Sequence, residues 1–529
     1  MASGNDPANI PYIIVENGFY YVAYKEKVKV PEVVVSSKGV ANGLSEEYND
    51  GWDFGPDSYD PSSTASIPYT QTSGIQEAVN YGGNDEDVTV RVIGEIRLSV
   101  PVILPAKNIT IIGSLYNINT NGANPTRGAS AIVANTDFQP ITYNGVSVNY
   151  LLYTQTEITN TSSELNIYGI LFSGYPISVG SESSTTSNSN VNGIAINNTL
   201  AHLYIDYCKI NLLNNGIVIN SSGGPKYIGH THWTYVADNA YGVICNSNSE
   251  LVIDSPEFFT FKTTPNAYVY VSNASTLGLS VRISNANFAN NYACINGAIQ
   301  YGNVGNVQVS NSYFDGGYIL APVYNNSDGN GPYAGSAELD NIILGNTATT
   351  NAVINVTGST AINTVITVHN LIMIDPPNGE NYYLFYQQST ASYQSGIQLY
   401  INGFSPTKNG PTIISNIVQI ANVSGYNANI HLTGITNFTS STAGTTAGTV
   451  NQDVIEYRPS YKKIMMSFSG YENDTTTDQT VDFPLAFSSY AVIVANNTGL
   501  TISASTTGIT ITAPDSTTTY SGIVIVEGY

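Results

Sequence analysis

Charged residues are scarce in this sequence, and basic residues are the scarcest. Only 10% of the 529 residues are Asp, Glu, Lys or Arg, and 38 acidic against 16 basic residues give a net charge of −22 at pH 7. A chain this acidic repels phosphate groups and anionic lipid surfaces, so we expect no nucleic-acid partner. A membrane-spanning helix takes about 20 consecutive apolar residues. No apolar run here approaches that length, and the sequence therefore predicts no membrane span.

Cysteine is nearly absent. Cys208, Cys245 and Cys294 are an odd number whose spacing matches no zinc motif, so we expect three buried thiols rather than a disulfide framework. His230 and His232 place two imidazoles close together, but no third ligand stands near them in the sequence. We therefore predict no metal ion and no cofactor. Residues 1–7 lack the basic and apolar stretches of a signal peptide, which predicts that none is present.

Short apolar strands alternate in this chain with stretches rich in Asn, Ser, Thr, Gly and Tyr. From about residue 88 to 438 they form an irregular repeat of roughly 25–35 residues, each with a strand, a polar pair and a second apolar run. Apolar alternation with period 2 predicts a β-solenoid. The equivalent apolar positions are Ile167, Ile205, Ile253, Ile283, Val309, Leu339, Val368 and Ile401.

The spacing of these positions predicts how the coils are divided. From Ile253 onward they follow one another at about one repeat length. The two earlier gaps, from Ile167 to Ile205 and from Ile205 to Ile253, are wider. They fit one long coil and two short ones.

The polar pair in each repeat predicts a sharp turn between two strands. Asn, Asp and Gly tolerate the left-handed backbone conformation of such turns, and stacked Asn side chains can hydrogen-bond to one another. Asp206, Asp254 and Asp340 occupy the pair in three repeats. Glycoside hydrolysis uses paired carboxylates, so these three are the catalytic candidates if the protein is an enzyme. Turn formation explains all seven positions and catalysis at most three, because the equivalent residues in the other repeats are Ser284, Ser310, His369 and Asn402.

Outside the repeats, local patterns predict smaller elements. Asn17 and Gly18 between two apolar runs predict a hairpin, and residues 28–35 predict a third strand. Ser73 and Gln76 have the spacing of a capping box, which predicts a short helix that covers the open end of the solenoid. Six apolar runs near the C-terminus predict a compact β unit, preceded by a flexible linker. The predicted domains are an N-terminal β region at 1–70, the β-helix at 71–438, the linker at 439–461 and a β-sandwich tip at 462–529.

Two segments resemble known families. Residues 73–79 with the runs 88–94, 102–105 and 108–113 resemble the start of pectin-lyase-like right-handed β-helices, a superfamily of polysaccharide lyases, glycoside hydrolases and viral tailspikes. Residues 462–529 resemble the small β-sandwich at the tips of phage tail fibres. The composition, rich in Tyr, Asn and Thr, resembles virion proteins of hyperthermoacidophilic archaea. The resemblance implies an all-β fold, with a right-handed parallel β-helix between a small N-terminal β region and a C-terminal β-sandwich tip.

The same resemblance implies a virion tailspike or tail fibre that attaches the particle to a host surface glycan or glycoprotein. Residues 1–70 would bind other tail or capsid proteins, and the protein would face outward from the virion. A homotrimer is expected because Phe468, Phe483, Phe487 and Tyr490 exceed what one small sandwich can bury. At the tip, the rings and amides of Tyr490, Asn496, Asn497 and Tyr520 are the candidates for sugar binding.

Two other functions stay open at this point. A polysaccharide lyase or glycoside hydrolase would use Asp206, Asp254 and Asp340, and the sequence does not decide whether the protein is an enzyme. A cellular surface adhesin or S-layer-associated protein would share the fold, but a signal peptide would then be expected.

Overall fold

The secondary structure is almost entirely β, as predicted. The computed structural model describes residues 12–16, 19–23, 32–37, 53–56, 70–81, 83, 86–114, 130–155, 163–176, 188, 190–198, 200, 202–220, 223–247, 249–259, 263–271, 280–289, 294–302, 306–322, 335–345, 350–356, 363–374, 381–387, 396–407, 429–435, 446–458, 461–473, 478–483, 486–512 and 520–529. Across these residues the one helix is Ile75–Asn80, and no helix there is long and apolar enough to cross a membrane.

Most strands stack in parallel into three ladders around one apolar core, which is the parallel β-helix predicted from the sequence. Ladder 1 begins with Glu32–Ser36, Val88–Ile93, Ile109–Ile112, Glu164–Tyr168, His202–Asp206, Lys226–Gly229, Leu251–Asp254 and Ser280–Ser284. Ladder 2 begins with Glu95–Leu98, Ala131–Ala134, Leu171–Ser173, Lys209–Asn211, His232–Thr234, Glu257–Phe259 and Asn287–Ala289. Single strands then pass through both: Asn306–Asp315, Ser336–Gly345, Asn363–Ile374, Gly396–Thr407 and Asn429–Ile435.

Ladder 3 is a 10-stranded sheet that closes ten successive coils. Its strands are Val102–Leu104, Tyr150–Thr154, Asn192–Ile196, Ile217–Ile219, Tyr241–Cys245, Ala267–Val271, Ile299–Tyr301, Tyr318–Pro322, Thr350–Val356 and Asn381–Gln387. Two antiparallel hairpins stand apart from the ladders, Tyr12–Glu16 with Phe19–Ala23 and Ile141–Tyr143 with Val146–Val148. The first of them confirms the hairpin predicted around Asn17 and Gly18.

The repeat phase read from the sequence is the register of ladder 1. Ile253 pairs with Ile283, which pairs with Val309, and the same line continues through all later predicted positions. Ile167 pairs with Ile205, so the first of the two wide gaps is one long coil. The second wide gap holds two short coils, because Ile228 pairs with both Ile205 and Ile253.

The core is built by the inward-facing residues of the three ladders. In ladder 2 they include Phe172 and a stack of four aromatic rings, Trp233, Phe258, Phe288 and Phe314, whose successive centroids lie 4.4, 5.1 and 4.5 Å apart. All four are fully buried. The three cysteines are buried free thiols, as expected. Burial raises the pKa of the Cys208 thiol to about 12, so it stays protonated and unreactive at neutral pH.

The corner between ladders 1 and 2 has a left-handed backbone in most coils. We call the residue at positive φ in each coil the corner column; its members are Gly94, Gly169, Tyr207, His230, Ser255, Asn285, Asn311, Asn341, Asn370 and Gly403. The four asparagines form the asparagine column within it. Asn370 Nδ2 donates to Asn341 Oδ1 at 3.0 Å, and Asn341 Nδ2 donates to Asn311 Oδ1 at 3.2 Å. The turn chemistry and the Asn stacking predicted for the polar pair are confirmed.

The helix Ile75–Asn80 packs against the first strands of ladders 1 and 3 and buries Ile75, as predicted for a cap on the open end. Its predicted capping box is wrong. Gly74 is the N-cap, the Ser73 hydroxyl donates to Arg97 O, and the Gln76 amide bonds both backbone groups of Ile103 instead. Gln76 thereby takes the place of a neighbouring strand on the exposed edge of ladder 3.

Two segments outside the predicted β-helix range differ from expectation. Glu32–Ser36, which overlaps the predicted third strand, pairs in parallel with Val88–Ile93 and is therefore the first rung of ladder 1. Thr446–Arg458 lies in the predicted linker but is a strand paired with Tyr461–Asn473. The Gly- and Ala-rich start of that segment suggested flexibility, whereas the β-branched and aromatic residues after it favour a strand.

The C-terminal unit has two antiparallel sheets. One orders Thr446–Arg458, Tyr461–Asn473, Tyr520–Gly528 and Ala491–Asn496; the other orders Gln479–Asp482, Gly508–Ile511 and Ile502–Ala504. Phe468, Phe483 and Phe487 are buried within a single chain. The expectation that one sandwich cannot cover these rings is therefore wrong, and of the four aromatic residues only Tyr490 is exposed.

Candidate functional site

Two bulky residues occupy the corner column where the other described coils carry Gly, Ser or Asn. Tyr207 has φ 50° and His230 has φ 37°. A left-handed backbone is uncommon for residues other than Gly, Asn, Asp and His, so the bulky Tyr207 is an outlier there. Such outliers cluster at binding sites and active sites, where the surrounding structure holds them in place. The two rings stack face to face, with centroids 4.6 Å apart and an interplanar angle of 3°.

Asp206 contacts both residues of this pair. Its carboxylate accepts hydrogen bonds from the Tyr207 N–H at 3.0 Å and from the Tyr204 hydroxyl at 3.2 Å, and Oδ1 lies 3.1 Å from His230 Nδ1. The residue is only 6% exposed. Burial raises the pKa of Asp206, and the hydrogen bond and charge of His230 act against that shift. The site thus holds a carboxyl group that is costly to ionise and whose oxygens contact an imidazole, a phenol and a backbone N–H.

Stacked tyrosines extend the site along the outer face of ladder 1. The ring of Tyr204 lies 5.2 Å from that of Tyr168 and 4.7 Å from that of Tyr227, measured between centroids. Burial and the neighbouring Asp206 raise the pKa of Tyr204, so its hydroxyl remains a neutral donor. Together these residues form an outer surface that combines aromatic rings with hydrogen-bonding groups.

Gly229 makes room for this arrangement. It pairs with Asp206 on one side and with Asp254 on the other. A Cβ atom at this position would lie 2.6 Å from Asp206 Oδ1 and 2.6 Å from the Tyr227 hydroxyl. Any side chain would therefore displace the carboxylate or the phenol. We call the cluster the Tyr–His corner, and its residues are Tyr168, Tyr204, Asp206, Tyr207, Tyr227 and His230.

The three predicted carboxylates lie on one line of ladder 1, as the repeat phase indicated. Two strand spacings separate Asp206 from Asp254, or about 9.5 Å, and three more separate Asp254 from Asp340, or about 14 Å. Asp254 accepts from Ser284 Oγ at 2.6 Å and from Asn285 Nδ2 at 3.0 Å. Asp340 accepts from the adjacent Asn341 at 3.3 Å. Asp206 lies within the Tyr–His corner, Asp254 adjoins it through its backbone oxygen, which accepts from the His230 N–H at 2.9 Å, and Asp340 lies outside it.

Tyr207 and His230 were missed by the sequence reasoning as members of a site. The available signal was the aligned repeat, in which Tyr207 follows Asp206 at the position that Asn285 has after Ser284. His230 and His232 are also not equivalent, because the corner at His230 interrupts the strand. His230 is partly exposed beside Asp206, whereas His232 is fully buried with Nδ1 3.5 Å from Glu257 Oε2.

The predicted tip candidates do not form one cluster. Tyr490, 48% exposed, lies beside Tyr529 with ring centroids 5.2 Å apart. Asn496 and Asn497 follow at the other end of the strand Ala491–Asn496, where Asn496 Oδ1 accepts from the Thr498 N–H and Asn497 Oδ1 accepts from the Ile523 N–H. Tyr520 packs partly buried against the core. Their amide oxygens are thus used within the chain.

Neither a metal site nor a similarity to known proteins assigns a function to these groups. Within the described residues, no three His, Cys, Asp or Glu side chains are placed to hold a metal ion. No family model matches the sequence, and no curated protein sequence is significantly similar to it.

Two solved phage structures are similar to this chain. The tailspike gp42 of Acinetobacter phage vb_AbaP_AS12 matches over 75% of this chain and 74% of that one, with 11% identity and a TM-score of 0.33. The enzymatically active domain of tailspike protein 4 of bacteriophage CBA120 matches over 87% of this chain and 65% of that one, with 13% identity and a TM-score of 0.27. Scores this low carry no argument about fold or function.

Proposed function

We propose that the protein is an outward-facing virion protein, a tailspike or tail fibre, that attaches the particle to glycans on the host surface. The observation that carries the proposal is the Tyr–His corner, where a strained backbone holds Tyr207 and His230 against the carboxylate of Asp206. Tyr207 is 45% exposed there.

Sugars are the ligands that suit these groups. Aromatic rings pack against the apolar faces of sugar rings, and carboxylates, phenols and imidazoles bond to hydroxyl groups. A stack of parallel strands holds them rigidly, so little conformational entropy is lost when a ligand binds. A polymer running along ladder 1 would meet the same spacing from coil to coil.

Binding of the full-length chain to isolated host envelopes tests the proposal. We expect the double variant Tyr207→Asn, His230→Asn to lose at least about tenfold in affinity, since it removes two contacting rings. The matched variant Tyr490→Ala, Asn497→Ala at the tip should bind like the wild type. The reverse result would move recognition to the tip, as predicted from the sequence, and would refute a role for the corner.

Self-association into a homotrimer belongs to the same proposal. It rests on exposed apolar side chains and no longer on the phenylalanines of the sandwich, which are buried. Most of the exposed large apolar side chains among the described residues lie after residue 360: Val365, Ile372, Ile374, Tyr400, Tyr490, Val492, Val494, Ile523 and Tyr529. They lie on the last strands of the β-helix and on the C-terminal sandwich, and exposed apolar side chains of this kind are typical of an interface between copies. Light scattering should give about three times the chain mass of 56.4 kDa, and a monomer at micromolar concentration would contradict this part.

Two further parts of the proposal follow from the sequence. Residues 1–70 anchor the protein to other tail or capsid proteins, although Glu32–Ser36 within that range contributes a rung of the β-helix. The scarcity of charged residues, and with it a low dependence of stability on carboxylate ionisation, suits an acidic habitat such as that of archaeal viruses.

Glycan cleavage is the second candidate function. Asp206 has the raised pKa of a general acid, and Asp254 lies about 9.5 Å away by strand spacing, at the upper limit of about 9.5 Å for inverting glycosidases. Reducing ends released from host polysaccharide by the wild type, and not by Asp206→Asn or Asp254→Asn, would support cleavage. Binding without release by the wild type would leave attachment as the function.

A further inference from the structure

Resting on the proposed function, we propose that the Tyr–His corner selects glycans that carry a free amino group, bound as an ammonium, over neutral and acidic glycans. The charged groups around the cluster and the burial of Asp206 set the sign of charge that the site accepts.

The outer face of ladder 1 at the corner carries carboxylates and no cationic side chain except histidine. The outward-facing residues of its four strands there, all of them described, are Glu164, Asn166, Tyr168, His202, Tyr204, Asp206, Tyr227, Gly229, Val252 and Asp254. Lys226 belongs to one of these strands but is only 1% exposed and donates to Gly223 O and Gly224 O. In the next coil, Arg282 lies 3.3 Å from Glu250. On ladder 2, Lys209 stands two residues after Tyr207, but it is only 4% exposed and lies close enough to Glu257 for the two charges to interact. A ligand at the corner therefore meets mainly carboxylates, and so a negative potential.

Asp206 strengthens the attraction of this site for a positive charge. Its carboxylate has lost most of its hydration, so the ionised form is held in an environment that favours a nearby positive charge. Asp254 adds a second carboxylate two strands away. The rings of Tyr204, Tyr207 and Tyr227 attract a cation within about 6 Å of their centroids. An ammonium group is attracted both by the two carboxylates and by the tyrosine rings. A hydroxyl or acetamide group carries no charge and lacks both attractions.

Acidic sugars meet the opposite situation. A uronate or sulfate at this position would stand beside Asp206 and Asp254 with no Lys or Arg from the outward-facing set to pair with it. Like charges brought together at an interface are strongly rejected. The net charge of −22 adds a long-range repulsion that lowers the rate of encounter with acidic polymers.

Titration of the full-length protein at pH 7 with three tetrasaccharides tests the proposal: a glucosamine tetramer, its N-acetylated counterpart and a galacturonate tetramer. We expect the amine form to bind about tenfold more tightly than the N-acetylated form, and the galacturonate not to bind measurably. Raising the salt concentration from about 20 mM to about 300 mM should reduce this preference, because salt screens charge attraction.

Two isosteric variants separate the corner from the general charge of the chain. Asp254→Asn should reduce the preference for the amine at least about threefold. Glu338→Gln removes one outward-facing carboxylate from the same ladder, three coils further on, and should leave the preference unchanged. An equal loss in both variants would mean that net charge, and not the corner, sets the selectivity.

The remaining outcomes each decide something different. Equal binding of the amine and N-acetylated tetramers, abolished by Tyr207→Asn, would overturn the amine preference and keep the glycan site. Tighter binding of the galacturonate would overturn the charge argument. Binding of none of the three, together with unimpaired envelope binding by the Tyr207→Asn, His230→Asn variant, would refute the glycan site itself.

Discussion

Two groups of coils have the same left-handed backbone at the corner between ladders 1 and 2: those from Asn285 to Asn370, and those of Tyr207 and His230. The groups differ in the contacts that the corner side chain makes. Asn311, Asn341 and Asn370 bond to one another, coil to coil, and the φ angles of 49–55° in all four asparagines suit an amide side chain. Tyr207 and His230 form no such amide chain. They stack on each other, and Asp206 holds them.

The junction of the two regions is Asp254. One of its oxygens accepts the amide of Asn285, the first residue of the asparagine column, while its strand partner on the other side is Gly229 of the Tyr–His corner. The same turn is thus stabilised by amide hydrogen bonds in the asparagine column. In the Tyr–His corner it holds exposed rings on a strained backbone. A fold that can close the turn with Asn, yet carries Tyr and His in two coils, fits the proposed role of those two residues in binding.

The largest effect should come from breaking the asparagine column. Asn341→Val places a β-branched residue at φ 53° and removes two amide bonds, so we expect a loss of about 2–4 kcal/mol in the free energy of unfolding. Urea denaturation measures it. Asn341→Gly keeps the backbone freedom and should lose about half as much, and neither variant should change envelope binding. A stable Asn341→Val protein that no longer binds would reverse the assignment of the two regions.

Replacing Tyr207 of the Tyr–His corner by asparagine, the residue of the asparagine column, should stabilise the protein instead. Tyr207→Asn relieves the left-handed tyrosine, and we expect the free energy of unfolding to rise by up to about 1 kcal/mol while glycan binding falls at least about tenfold. Thermal denaturation and glycan titration on the same sample give both values. If the variant is clearly destabilised instead, Tyr207 has a structural role and the functional argument from its backbone fails.

The smallest effect concerns pH. The pKa of Asp206 is raised in the folded protein above the ordinary 3.8. Between the two values the folded state holds the proton and the unfolded state does not, so stability contributed by this group falls as the pH rises through that window. Asp206→Asn should remove this fall, which amounts to about 1.4 kcal/mol for each tenfold change in the acid dissociation constant. Denaturation curves at pH 3 and pH 7 compare the two proteins, and parallel curves would mean that Asp206 ionises without cost.

Most of the β-helix was predictable because its signal is periodic. The register of ladder 1 follows the apolar positions found in the sequence, and the turn chemistry at Asn311 and Asn341 follows from their place after each strand. The coil at Ile228 was harder to see as a separate repeat, since Gly229 and His230 replace the usual polar pair. The catalytic and tip residues chosen from the sequence stay predictions.

The Tyr–His corner was not predictable in the same way. Asp206 and His230 are 24 residues apart, and their contact depends on the exact length of one coil, which apolar periodicity gives only approximately. The predicted capping box of the end helix was wrong for a similar reason. Ser73 and Gln76 fit a local capping rule, but each side chain found a partner in a distant segment, at Arg97 and at Ile103. Tertiary contacts override local rules where the chain closes an edge.

Gln76 also has a consequence for how a molecule of this kind changes in length. It closes one edge of ladder 3 by imitating a strand, and every coil beyond it repeats the same register. Duplication or loss of a whole coil in the middle would leave this closure and the C-terminal sandwich intact and would alter the height of the stack by about 4.8 Å. The reach of the protein can therefore evolve in fixed steps, one coil at a time, whereas insertion of a partial coil would misalign every ladder beyond it.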